Sequence, residues 1–146
     1  MLVDDAMTRA VVTVPVDESL RAVVALMLEH DVESVVVERD GNPTGIVTVS
    51  DVLEAAYNSG EPLEATDVET AMSHPLVTVA PETTIRTAVE RMREADVKRL
   101  AVVDGIDLVG IVTQSDVVRN HALLLREAVH NEERRQRFED EDAEPR

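Results

Sequence analysis

The chain has 146 residues, 44% of them hydrophobic, and a formal net charge of −16 from 30 acidic against 14 basic residues. That length allows one good core, or two small ones that lean on each other. A field of that sign repels phosphate backbones and anionic lipid, which disfavours a nucleic-acid or membrane-surface role, and with no cysteine neither disulfides nor thiolate metal sites are available.

Only Tyr57 and Phe138 are aromatic, so the core must be built from Val, Leu, Ile, Ala and Met, a balance that suits short buried strands packed on helices. Lys98 is the only lysine. An acidic, lysine-poor surface fits adaptation to a salty cytoplasm that screens self-repulsion; a surface meant for a basic partner is the other reading. No apolar run approaches the roughly 20 residues needed to span a bilayer. The opening MLVDDAMTRA has neither a basic n-region nor an h-region. The expectation is a soluble cytoplasmic protein.

In chain order, residues 11–14 form a short β-branched run ended by Pro15, a brief strand or extended lead-in. Asp17 or Ser19 can then cap a helix whose Leu20, Val23, Val24, Met27 and Leu28 fall at helical spacing. Residues 32–38 read as a strand, and the run Val35-Val36-Val37 suggests burial on both faces. Asp40-Gly41-Asn42-Pro43 is turn chemistry. Residues 44–49 form a second strand, and Ser50 can cap a helix beginning at Asp51. Residues 58–68 read as a linker between domains at 1–57 and 69–125.

The chain is then written a second time. At an offset of 65 residues, Ala6 falls on Ala71 and the match continues without a gap to Ala56 on His121. AMTRAVVTV becomes AMSHPLVTV, and GIVTVSDV (residues 45–52) becomes GIVTQSDV (residues 110–117). Arg21, Val24, Met27, Glu29, Asp31 and Val32 recur as Arg86, Val89, Met92, Glu94, Asp96 and Val97. Thr83 or Thr84 opens the equivalent helix, to about residue 95. Strands follow at 98–103 and 109–113 around Asp104-Gly105, and Ser115 caps the next helix. The order strand, helix, strand, strand, helix, given twice, predicts an α+β fold of two β-α-β-β-α repeats related by a pseudo-two-fold axis, each covering the other's apolar face. Residues 126–146 begin as a helix and end as a frayed acidic tail.

The motif with most chemical content is Gly-x-x-Thr-x-Ser-Asp, placed in both copies at the last strand-to-helix junction. Free N–H groups at a helix start can hold a phosphate, and a neighbouring carboxylate can accept hydrogen bonds from the two hydroxyls of a ribose. Thr48, Ser50 and Asp51 form one such set; Thr113, Ser115 and Asp116 form the other. Ser-Asp at a helix start is also ordinary capping, which both copies could need for folding alone.

The duplicated pattern resembles a tandem pair of CBS domains, a Bateman module. The AM…TV lead-in, the VKRLAVVD strand and the GIVT-x-SD junction carry the resemblance, which covers about residues 6–125. It implies two clefts that bind AMP, ADP, ATP, S-adenosylmethionine or a related ligand, with the motif Asp on the ribose and the Thr or Ser on sugar or phosphate. Thr48 with Asp51 and Thr113 with Asp116 would then anchor two ribose sites, and Thr13 and Thr78 would be base-side contacts. One cleft would join Asp51 and Thr48 to Val77, Thr78, Lys98 and Arg99; the other would join Asp116 and Thr113 to Val12, Thr13 and Ser34. Glu33 and Ser34 stand where the second copy has Lys98 and Arg99. An anionic ligand in so acidic a chain needs local positive charge, so the Asp51–Arg99 cleft is expected to bind a phosphorylated ligand more tightly, unless the two cations merely balance nearby acids. The resemblance also implies a homodimer packed through helices, with exposed apolar faces expected within residues 20–28 and 52–57, and a regulated protein that reads ligand binding.

No other chemistry stands out. His30, His74, His121 and His130 lack metal-ligand spacing. There is no Gly-x-Gly-x-x-Gly loop, no Walker lysine and no supported Ser-His-Asp arrangement. The reading is a regulatory ligand-sensing module that requires no cofactor and is not an enzyme. A dimerisation scaffold that has lost its ligand is the alternative.

Overall fold

A computed structural model describes residues 1–143, and the side chains of residues 1–139. A short helix α1 (Val3–Ala6) leads into β1 (Thr13–Pro15), α2 (Leu20–His30), β2 (Ser34–Arg39), β3 (Asn42–Thr48) and α3 (Val49–Ser59). After a 3-10 turn at Leu63–Ala65 the order repeats as α4 (Val68–Ala71), β4 (Thr78–Val79), α5 (Ile85–Ala95), β5 (Arg99–Asp104), β6 (Asp107–Thr113) and α6 (Gln114–Arg119). A final helix, α7 (His121–Ala143), follows.

Each copy builds its own three-stranded mixed sheet, in the orders β1-β2-β3 and β4-β5-β6. The first strand pairs parallel with the second, and the second antiparallel with the third. Registers coincide at the offset seen in the sequence: Thr13 opposes Val36 and Val36 opposes Ile46, as Thr78 opposes Ala101 and Ala101 opposes Ile111. Even the bulge repeats, between Val37 and Glu38 and between Val102 and Val103. The Val35-Val36-Val37 run is fully buried on both faces, as the sequence suggested, and so is Leu100-Ala101-Val102.

Local chemistry accounts for the element ends. Ser19, not Asp17, caps α2, its Oγ accepting from the Ala22 N–H; Thr84 caps α5, accepting from the Thr87 N–H. The β2–β3 hairpin turns at Asp40 and Gly41, both with positive φ as a two-residue primed turn requires. One sequence expectation is corrected. Ser50 and Ser115 are not the caps of α3 and α6: Thr48 and Thr113 are, so each helix starts one residue after its Thr, and each Asp sits in the first turn rather than at its start. The acidic C-terminal segment is helical as far as Ala143, and the end expected to fray, residues 144–146, lies outside the described residues.

The two cores exchange their leading segments. The second copy's core of Val79, Ile85, Ala88, Met92, Leu100, Val102 and Val112 is completed by Val3, Ala6 and Met7 from the chain start. The first copy's core of Val14, Leu20, Val23, Met27, Val35, Val37, Val47 and Val52 is completed by Val68, with Ala71 and Met72 against it. Backbone hydrogen bonds fix the exchange symmetrically. The Ile85 N–H donates to the Met1 carbonyl as the Leu20 N–H does to that of Thr66, and Thr8 and Ile111 exchange a pair of bonds as Ser73 and Ile46 do. Residues 58–68 are therefore no free tether: Thr66 and Val68, near their end, are buried.

Leu20, Val23 and Met27 face this core, so the apolar face expected to be open on α2 is reduced to Leu28. The α3 face is open at Leu53 and Tyr57, while Val52 is buried. Among the described residues no helix is long and apolar enough to cross a membrane.

Candidate functional site: a cleft lined by both repeats

One cavity of about 1120 Å³ is lined by residues of both copies, a little above the roughly 300–1,000 Å³ of typical ligand sites. Both Thr-x-Ser-Asp junctions open onto it: Thr48, Ser50 and Asp51 from one copy, and Thr113, Ser115 and Asp116 from the other. Val12, Ser34, Val77, Lys98 and Arg99 also line it, so the structure gathers eleven of the thirteen expected site residues on one surface. Thr13 and Thr78 are not among the lining residues. The lining segments are residues 10–12 and 75–77, and Thr13 and Thr78 follow them as the first residues of β1 and β4.

Residues of both expected clefts line this space. Strand register puts Ser34 beside Thr48 and Arg99 beside Thr113, each within its own copy. Lys98 and Arg99 consequently adjoin the second motif through the sheet, while sharing the cavity with Asp51.

Both motifs fold as reciprocal capping boxes. The Thr48 N–H donates to Asp51 Oδ2 (2.8 Å), and the Asp51 N–H donates back to Thr48 Oγ1 (3.3 Å). Thr113 and Asp116 repeat this at 2.9 and 3.1 Å. One carboxylate oxygen of each Asp is therefore committed to holding its helix start; the other decides what each half can do. Asp51 is half-buried, and among the described residues its Oδ1 has no hydrogen-bond or ion-pair partner. The Thr48 hydroxyl also donates to Asp51 Oδ2 (3.0 Å), which leaves Oδ1 the free acceptor. Asp116 is only 2% exposed, and its Oδ1 lies 3.3 Å from an Arg119 guanidinium nitrogen.

Arg119 lines the cavity and was not singled out in the sequence. A signal existed: it stands three residues after Asp116, close enough on a helix for a pair, whereas the first copy has Glu54 at the equivalent position. Among the described residues, no group of three or more His, Cys, Asp or Glu is placed to hold a metal ion.

The CBS domain family matches this chain twice, at residues 3–58 and 65–122. The CBS domain-containing protein YhcV of Bacillus subtilis is 31% identical over 81% of this chain and 84% of its own length. An uncharacterized protein of Methanocaldococcus jannaschii is 32% identical over 77% of this chain, which spans only 30% of that protein's length. Among solved structures, a conserved protein of Pyrococcus horikoshii superposes with a TM-score of 0.74 at 30% identity, covering 82% of this chain and 91% of that one. A CBS domain protein of Pyrobaculum aerophilum, complexed with AMP, superposes with a TM-score of 0.77 at 22% identity over 88% and 99% of the two chains. The class that the fold defines is a tandem pair of small α+β modules. The chain belongs to the CBS domain family, with two CBS repeats in tandem.

Proposed function

We propose that this CBS pair is a regulatory sensor that holds an adenosyl ligand (AMP, ADP, ATP or S-adenosylmethionine) in the cleft and does not transform it. The observation that carries the reading is one cavity lined by both Thr-x-Ser-Asp junctions, with Asp51 on the lining and its Oδ1 without a partner among the described residues. A carboxylate oxygen so placed accepts the hydrogen bonds of a ribose diol. The fold supports it too, since the Pyrobaculum aerophilum protein that superposes on this chain is complexed with AMP. Ligand bridging both copies shifts their packing by its differential affinity for the two arrangements, and a partner protein reads that shift.

The same reading makes the protein a homodimer in the cytoplasm, joined through the exposed apolar residues Leu53 and Tyr57 of α3 and Val118 of α6. A related assembly, the CBS-CP12 protein of bloom-forming cyanobacteria, is hexameric. The second reading, a scaffold without a ligand, draws on the capping boxes, which give both motif aspartates a purely structural task.

Calorimetric titration with AMP, ADP, ATP and S-adenosylmethionine, on wild type and on Asp51→Ala and Asp116→Ala, tests the choice. Binding of one of these ligands in the micromolar range, lost in Asp51→Ala, is the expected result. No heat from any of the four would move the reading to the scaffold.

A further inference from the structure

The last helix, α7, has 23 residues and runs about 34 Å along its axis, yet its own chain barely covers it. It rests on α6, sets Leu124 against the second core and holds the Met1 ammonium with Glu127. Apart from Leu124, every residue from 121 to 139 is exposed. Among the described residues, the one ion pair within the helix joins Arg135 to Glu139. So long and polar a helix draws little stability from propensity alone and is normally held by packing.

The surface it leaves open is patterned. Leu125 and Val129 stand exposed one turn apart, and the row beside them on the helix is Arg126, His130 and Arg134. Four arginines against three glutamates make residues 126–137 net +1, which leaves −17 for the rest of the chain. The complementary pattern lies on α3. Val49, Leu53 and Tyr57 are exposed there at the same one-turn spacing. Around them, residues 40–73 hold seven acidic residues and no Lys, Arg or His. Asp51, Glu54, Glu61 and Glu64 lie on α3 or just past its end, and none forms an ion pair among the described residues. One helix thus offers an apolar row edged by cations, the other an apolar row edged by acids. Their places in the fold also correspond. Leu53 and Val118 are equivalent at the offset of 65 residues, and α7 follows directly on α6, which carries Val118.

Resting on the homodimer reading, we propose that α7 is an arm that covers α3 of the partner subunit. Leu125 and Val129 lie across the partner's Leu53 and the partner's Tyr57, with ridges of one-turn spacing packed into grooves. Arg126, His130 and Arg134 face the partner's Glu54 and the partner's Glu61. The contact is reciprocal, so each dimer has two. The charges select the pairing, since a chain this acidic otherwise repels its own copies.

The chain has no cysteine, which suits it to disulfide trapping in the full protein. With Leu53→Cys and Val129→Cys in one chain, mild oxidation should give a covalent dimer on a non-reducing gel, while each single variant stays monomeric there. Sedimentation of Arg126→Glu/Arg134→Glu should show dimerisation weakened about tenfold, and adding Glu54→Arg/Glu61→Arg to that chain should recover most of the loss. Circular dichroism checks the fold of every variant. A covalent dimer from either single variant would pair like helices and overturn the arm with the homodimer intact. An internal disulfide or no disulfide in the double variant, or a charge reversal without effect on dimerisation, would overturn it in the same way. A wild type that sediments as a monomer would overturn the homodimer reading and this inference together.

Discussion

Gly110 and Thr8 approach so closely that a Cβ on Gly110 would stand 2.9 Å from the Thr8 carbonyl oxygen and 2.7 Å from Met7 Sδ. Gly45 relates in the same way to Ser73, at 2.8 Å from its carbonyl oxygen. The glycine that opens each GIVT motif is therefore the crossing point where one copy's leading segment runs over the last strand of the other. Gly45→Ala and Gly110→Ala should each cost about 1–3 kcal/mol, because backbone as well as a flexible thioether must move. Thermal unfolding measures this, and a melting temperature equal to that of wild type would mean the crossing is looser than it stands.

The exchanged segments should contribute alike to both cores. Val3 and Val68 are fully buried, each in the core of the copy it does not precede in the repeat. Val3→Ala and Val68→Ala should each lose roughly 2 kcal/mol through lost burial and the cavity left behind. Urea unfolding followed by circular dichroism is expected to keep one cooperative transition in both variants. A separate early transition in Val3→Ala would mean that the second core melts without disturbing the first.

Asp51 and Asp116 should separate stability from binding. Asp116→Ala removes a buried carboxylate and leaves the part-buried Thr113 N–H without its partner, and should cost roughly 1–3 kcal/mol, whereas Asp51→Ala removes a half-buried capping partner and should cost about 1 kcal/mol. Ligand effects should rank the other way. AMP at a hundred times its dissociation constant adds about 2.7 kcal/mol to the wild type, an increment expected to vanish in Asp51→Ala. Equal loss in both variants would make the two halves equivalent.

Association through α3 has a direct check. Leu53 is 66% exposed and Tyr57 89%, and the two stand four residues apart on α3. Placing a charge there, as Leu53→Glu or Tyr57→Glu, should move the sedimentation coefficient from that of a dimer to that of a monomer. A dimer that persists in both variants would shift the interface to α7.

The net charge of −16 predicts a strong response to salt. Screening shortens the reach of self-repulsion to about 3 Å at 1 M ionic strength, so the melting temperature should rise from dilute buffer to molar KCl. A flat or falling curve would mean that paired charges, such as Arg39 with Glu69 at 2.7 Å, dominate the surface.

Much of this was legible in the chain itself, because it depends on neighbours in sequence. The offset of 65 residues fixed two equal units, period and turn residues fixed the strand and helix order, and the Thr-x-Ser-Asp strings marked the junctions that line the cleft. Local reasoning erred by small steps where two polar residues competed for one task. Ser50 and Ser115 have cap-forming side chains, but Thr48 and Thr113 stand three residues before the Asp whose carboxylate returns their bond, and the reciprocal pair wins. What only the tertiary structure decided is long-range. Nothing in the string around Val3 says that it completes the core built near Ile85, that Val12 lines the cleft while Thr13 does not, or that Asp116 is buried while Asp51 is left half-open. Those outcomes follow from packing two identical sheets against each other's leading segments, a constraint that acts between residues far apart in the chain and so leaves no periodicity to read.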